Sequence, residues 1–236
     1  MKLPIVDYRQ FRPDRLNEPR FRHLKLLMFW PIFSLVFCYL ENYRPTVYYT
    51  PMRCALDSYI PFCKWFAIPY AFWFLFVGGM VFYTLLCDVP AFRRLMKFII
   101  LTYSFALVTY ILFPNCQHLR PLLLETDPLT RFIAGLYAAD TSTNVCPSIH
   151  VIGSFAVYFA ARDVRRFRAR GWRLGFLSMA VLISLSTVFL KQHSVLDVLA
   201  GLAVCAAAYP LIYRSPIRAA AAVRPGMLVR KQSPEL

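Results

Sequence analysis

The sequence predicts an all-α fold, a polytopic membrane bundle of six transmembrane helices, and three observations carry that prediction. First, 58% of the 236 residues are hydrophobic and mean hydropathy is positive, which leaves too little polar surface for a water-soluble domain of this length. Second, apolar runs recur at residues 24–40, 65–87, 98–113, 145–161, 174–190 and 194–213. They are 16 to 23 residues long, against the ~20 that cross a hydrocarbon core of ~30 Å. Apart from Lys25 and Asp197, each near an end, they hold no charged side chain. Third, the basic residues alternate. With successive gaps assigned to opposite sides, 21 of the 27 Lys and Arg fall on the side of both termini and 6 on the other. A positive-inside bias of that size places both termini in the cytoplasm. The net charge of +15 is therefore a topology signal. It is spread over four segments without a binding motif, which excludes a nucleic-acid partner.

Taken in order, residues 1–23 are charged and proline-punctuated, unlike a cleavable signal peptide. They read as a cytoplasmic basic arm lying on anionic headgroups. Residues 41–64 are rich in Tyr and Pro, as at a headgroup interface, where Asp57 is expected to cap or tether a short interfacial helix. Gly78 and Gly79 interrupt the second run, at a bend or a close helix contact. The longest gap, 114–144, predicts a short helix at 129–137, capped by Asp127 with Pro128 in its first turn. The sixth run offers small residues, Ala200, Gly201, Ala203, Ala206 and Ala207, for tight packing. Residues 214–236 form a second cytoplasmic basic tail. Of the seven cysteines, Cys38, Cys87 and Cys205 fall in spans, and Cys54, Cys63, Cys116 and Cys146 on the outer side. Cys116 and Cys146 flank the outer loop, either bridged or as free thiols. No CxxC spacing suggests zinc.

Ionisable groups at the ends of spans are costly and usually kept for function. The topology gathers Arg120, Ser148, His150, Lys191, His193 and Asp197 at the outer membrane surface, from three separate segments. His193 and Asp197 are i and i+4 on one helix face. A carboxylate on one imidazole nitrogen fixes the tautomer and leaves the other nitrogen as nucleophile or base. His150 is placed to protonate a leaving oxygen. The helix start at Pro147 supplies free N–H groups for a phosphate, Ser148 a hydroxyl, and Arg120 a bidentate fork. These parts fit phosphoryl transfer without a metal or other cofactor.

On these residues the chain resembles the type 2 phosphatidic acid phosphatase superfamily, the lipid phosphate phosphatases that share a core with vanadium haloperoxidases. That family carries Lys with Arg-Pro seven residues on, then Pro-Ser-x-His, then Ser-Arg-x5-His-x3-Asp. The matching positions are Phe113 with Arg120-Pro121, then Pro147-Ser148-Ile149-His150, then Ser186-Thr187 with His193 and Asp197. The resemblance implies a six-span phosphatase-like domain over residues 24–213. It also implies a lipid phosphatase acting on a membrane lipid substrate through a phosphohistidine at His193, with Asp197 orienting it and His150 as acid. Arg120, Ser148 and Lys191 would then bind the phosphate. Two family cations are replaced, by Phe113 and Thr187, and Ile149 stands at the usual Gly. Lys191, four residues after Thr187, is expected on the same helical stripe as a substitute. The reduced countercharge keeps a head-group phosphotransferase open as the alternative reading. Rival readings are a His-His-Asp metal site, a serine protease using Gly153-Ser154, and a non-catalytic transporter or subunit retaining the fold.

Overall fold

The computed structural model describes residues 6–45, 48–125 and 127–214. Lys2 and the basic tail beyond Arg214 lie outside the described residues. A 3-10 segment, Arg22–Met28, runs into α1 (Phe29–Asn42). Then come β1 (Thr50–Pro51), α2 (Leu56–Tyr59), α3 (Ala67–Cys87), α4 (Val89–Leu112) and β2 (Asn115–Cys116). The chain continues through α5 (Pro128–Ala139), α6 (Ile149–Asp163), α7 (Arg170–Phe189) and α8 (Val195–Tyr213). The strands form one short parallel pair with Thr50 opposite Asn115.

The protein is an all-α bundle, and among the described residues five helical segments are long and apolar enough to cross a membrane: Arg22–Asn42, Lys64–Cys87, Val89–Leu112, Arg170–Phe189 and Val195–Tyr213. Their outward faces are apolar, with Leu35, Leu75 and Leu112 73%, 71% and 78% exposed, as expected where hydrocarbon replaces water. The run at 145–161 differs. Ser148 caps α6 and the helix begins at Ile149, leaving 15 residues, or about 22 Å at 1.5 Å per residue. Small residues Gly153, Ala156, Ala160 and Ala161 are buried along it. They let α6 pack against α3, α4, α7 and α8 as the central helix.

Local chemistry sets the other boundaries. Asp88 caps α4 by accepting from the Ala91 N–H at 3.0 Å, with Pro90 in the first turn. The helix therefore starts nine residues before the apolar run at 98 and carries Arg93, Arg94 and Lys97. Arg94 pairs with Asp163 at the end of α6. The N-terminal arm folds back on the bundle from Tyr8 onward. Tyr8 Oη donates to Leu85 O at 2.7 Å and meets His23 Nε2 at 2.9 Å, while Phe21 is fully buried. On α8 the buried stripe is Asp197, Gly201, Cys205 and Ala208, and Ala203, Ala206 and Ala207 face outward. Only Gly201 of the small residues marks a close approach: a Cβ there would lie 3.1 Å from Ser148 O and 3.2 Å from Val151 Cβ. Gly78 and Gly79 have nothing within 4 Å of a Cβ, so no tight contact requires them.

Candidate active site at the starts of α6 and α8

The α7–α8 connection is a compact turn. The Lys191 N–H donates to Val188 O and the Gln192 N–H to Thr187 O, at 3.0 and 2.9 Å. This is the Schellman pattern, with a left-handed residue just past the helix end. That residue is Lys191, at φ 55°, where glycine is usual. The His193 N–H also donates to Thr187 O, at 3.1 Å, so the turn fixes the main chain of both Gln192 and His193. Ser194 then caps α8, and the Asp197 carboxylate reaches back in a capping box, accepting from the Ser194 N–H at 2.8 Å. The same oxygen, Oδ2, lies 3.3 Å from His193 Nδ1. Asp197 is wholly buried, and the Cys146 thiol also lies against its carboxylate. The i, i+4 pairing expected of His193 and Asp197 is thus present, although His193 precedes the helix.

Two outside contacts bracket this turn. The Asp57 carboxylate accepts from Ser194 Oγ at 2.6 Å and from the Val195 and Cys54 N–H groups, each at 2.8 Å. Burial raises its pKa, but those three hydrogen bonds outweigh burial and hold the carboxyl below its ordinary value. Asp57 therefore tethers the start of its own short helix through Cys54 and also caps the start of α8, 137 residues away. Lys191 Nζ donates to the carbonyls of Asp57 and Ile60. The stripe expectation for Lys191 needed α7 to continue past 190. The helix ends at Phe189, and the ammonium is turned onto the 57–60 segment.

His150 is the second residue of α6, capped by Ser148, whose Oγ accepts from the Val151 N–H at 3.5 Å. The Ser148 N–H donates to Asp197 O at 3.1 Å, tying the two helix starts together. The His150 ring sits between Tyr70 and Trp73, with centroids at 4.6 and 4.5 Å, and faces His193 at 5.6 Å. Its Nδ1 is buried without a partner. Gly153 makes room for the aromatic wall: a Cβ there would be 2.6 Å from Tyr103 Oη and 3.0 Å from Trp73 Nε1.

Arg120 comes to this end of the bundle, but its fork is filled by the protein. Nη1 donates to Tyr137 O at 2.8 Å, and Nη2 to Asp140 O, Thr141 O and Gln192 Oε1. The guanidinium also stacks 4.6 Å over the Tyr137 ring. Burial lowers its pKa, against the raising influence of Asp140.

A narrow cleft of about 20 Å³, room for about one water, is lined by His150, His193, Gln192, Asp140, Asn144 and neighbouring residues. Sequence reasoning missed several of its polar groups. Glu41, at the end of α1, accepts from Asn144 Nδ2 at 2.6 Å and from the Thr141 hydroxyl. Asp140 Oδ2 accepts from Tyr70 Oη at 2.6 Å. Among the described residues the two non-glycine positive-φ positions are Asn144, which lines this cleft, and Lys191, which precedes its Gln192. The 144–146 segment is braced by Asn115, which accepts from the Cys146 N–H at 2.8 Å and donates to Cys146 O at 3.1 Å. Cys116 and Cys146 are both free thiols.

Among the described residues no three His, Cys, Asp or Glu side chains gather as metal ligands. The Ser154 hydroxyl is buried and donates to His150 O at 2.7 Å within its own helix. Against known proteins, no family model, no curated protein and no solved structure matches the chain.

Proposed function

We propose that this protein is a membrane lipid phosphatase that cleaves a lipid phosphate or diphosphate ester through a phosphohistidine at His193. The observation that carries this reading is the facing pair of imidazoles. His193 Nδ1 is held toward Asp197 Oδ2 at 3.3 Å, and the His150 ring stands 5.6 Å away across one cleft. The carboxylate keeps a proton on Nδ1 and the lone pair on Nε2. His193 Nε2 then forms a P–N bond as the P–O ester bond breaks, and the leaving oxygen takes a proton from His150. In the second half, water gives its proton to His150 and its oxygen to phosphorus, and the P–N bond breaks. The proposed topology has six spans, with the run at 145–161 as the fourth. Both termini are cytoplasmic and the site is extracytoplasmic, from the 21-to-6 division of basic residues.

Head-group transfer to a lipid or alcohol is the second reading, and a specific observation favours it. Arg120 and Lys191 both donate to main-chain carbonyls. A dianionic monoester would meet little countercharge, whereas a phosphodiester carries a single negative charge.

The test is an assay of the purified full chain against phosphatidic acid, phosphatidylglycerophosphate and polyprenyl diphosphate, with and without an alcohol acceptor. Turnover with no added divalent ion, inhibition by orthovanadate and an acid-labile phosphohistidine are expected. Turnover abolished by full chelation and restored by one metal would overturn the reading. Cysteine labelling from outside intact cells should reach a site near Asp127 and not one in the Arg165 loop.

A further inference from the structure

His193 stands between two helices and belongs to neither, since α7 ends at Phe189 and α8 begins at Val195. Its ring is only as well placed as the main chain of that turn. The segment 54–66 holds the turn from outside along its whole length. The Cys63 N–H donates to Phe189 O at 3.0 Å, and the Phe66 ring stacks on Phe189 at 4.4 Å. Lys191 Nζ donates to the carbonyls of Asp57 and Ile60. The Asp57 carboxylate takes the far end: Oδ2 accepts from Ser194 Oγ at 2.6 Å and Oδ1 from the Val195 N–H at 2.8 Å. Asp57 is 2% exposed, and a carboxylate is costly to bury unless its oxygens are satisfied. Here they are, because Oδ2 also accepts from the Cys54 N–H and the Cys54 thiol lies against the same carboxylate. Each oxygen thus faces a main-chain donor. A carboxamide could not replace it, since its NH2 would meet one N–H or the other whichever way it turned. Nor does the helix alone call for this charge, because Ser194 Oγ already caps α8 by accepting from the Leu196 N–H at 3.2 Å.

We propose that Asp57 is a positioning residue for the nucleophile, acting through Ser194; the proposal rests on the phosphohistidine reading above. Asp57 holds the Ser194 side chain, and the Ser194 N–H holds the Asp197 oxygen that faces His193 Nδ1. Asp57 itself touches neither the imidazole nor a substrate. Its effect is on distance. A nucleophile must wait in near-attack geometry, and a displacement of ~1 Å costs about 10²-fold in rate. A looser turn would slow formation of the P–N bond and leave binding of the ester unchanged.

The test measures kcat and KM, per folded molecule, for the full chain in detergent as wild type, Asp57→Asn, Ser194→Ala and the double variant. The substrates are dioctanoyl phosphatidic acid and a p-nitrophenyl phosphate ester. Asp57→Asn should lower kcat roughly tenfold, with KM within about twofold of wild type. The loss should be equal on the two esters, because the attacking nitrogen is common to both and the leaving group plays no part in it. Ser194→Ala leaves Asp57 its two N–H donors, so it serves where Asp57→Asn does not fold, and it should show the same signature more weakly. The double variant should be no worse than Asp57→Asn alone, since both changes cut one path. Unchanged kcat in Asp57→Asn, or in Ser194→Ala where Asp57→Asn does not fold, would overturn the assignment and leave Asp57 a structural anchor. So would a loss confined to one ester, or a raised KM at constant kcat. A wild-type protein that turns over neither ester and forms no phosphohistidine would overturn both the assignment and the reading beneath it.

Discussion

The starts of α6 and α8 stand side by side, each pairing a histidine with a serine cap, yet opposite kinds of chemistry hold them. His150 is held by rings: Tyr70 and Trp73 flank it, while Tyr110 Oη donates to Pro147 O at 2.7 Å. His193 is held by charges: Asp197 on its Nδ1 side, with Asp57 and Lys191 bracketing its turn. Aromatic walls fix a ring's plane without occupying its nitrogens, and His150 Nδ1 has no partner. A carboxylate fixes which nitrogen carries the proton. The first arrangement fixes the ring's place and leaves its Nδ1 unclaimed. The second suits a nucleophile that needs a single tautomer.

Removing each histidine gives the largest expected effects and should break the symmetry between them. His193→Ala should abolish turnover on every ester, because the covalent intermediate is lost. His150→Ala should cost roughly 10²- to 10⁴-fold on lipid esters, and far less on a p-nitrophenyl ester whose leaving group needs no proton. Equal losses on both substrates would show that the two residues do not divide the work this way.

A smaller effect is expected at the aromatic wall. Gly153→Val places carbon against Tyr103 Oη and Trp73 Nε1, and overpacking of that kind costs about 1–3 kcal/mol. Thermal unfolding in detergent should show the loss, and turnover per folded molecule should fall as Trp73 is pressed toward His150. Unchanged turnover with a lowered midpoint would mean that the wall serves packing only.

The smallest effect belongs to the polar bracket. Asp57→Asn keeps the shape and removes the charge, at a cost of order 1 kcal/mol. The folded-state pKa of Asp57 is depressed, so its charge-linked stability is present above the unfolded value of about 3.9. It is lost as pH falls through the lower folded value. The gap in unfolding midpoint between wild type and Asp57→Asn should therefore be constant from about pH 5 upward and close in acid. A gap that persisted to about pH 2.5 would assign the bracket to shape.

Much of this was legible in the chain. Apolar runs located the membrane helices because length and composition are local properties. Pro147-Ser148-Ile149-His150 located the start of α6 because cap chemistry is local too. The bounds of α6 were less legible: the apolar run begins at Val145, but the helix begins at Ile149 after the Ser148 cap, because apolar composition continues through the capping turn. Arg120 and Lys191 were read as phosphate ligands because a basic residue beside a motif suggests a cation at the site. Where a long side chain turns depends on which carbonyls lie in reach, and those come from Tyr137 and Asp140 for one and from Asp57 and Ile60 for the other. Asp57 had no motif around it, and its partner Ser194 lies 137 positions away.

That separation orders the protein's own manufacture. A ribosome makes Asp57 early and Ser194 after most of the helices, so the bracket on His193 cannot close until α8 has left the exit tunnel and entered the bundle. Until then Asp57 lacks its Ser194 and Val195 donors, and His193 has no Asp197 across from it. A chain stalled after α7 would insert most of its apolar mass and still lack His193 and Asp197, so under the proposed function an unfinished copy would be inert.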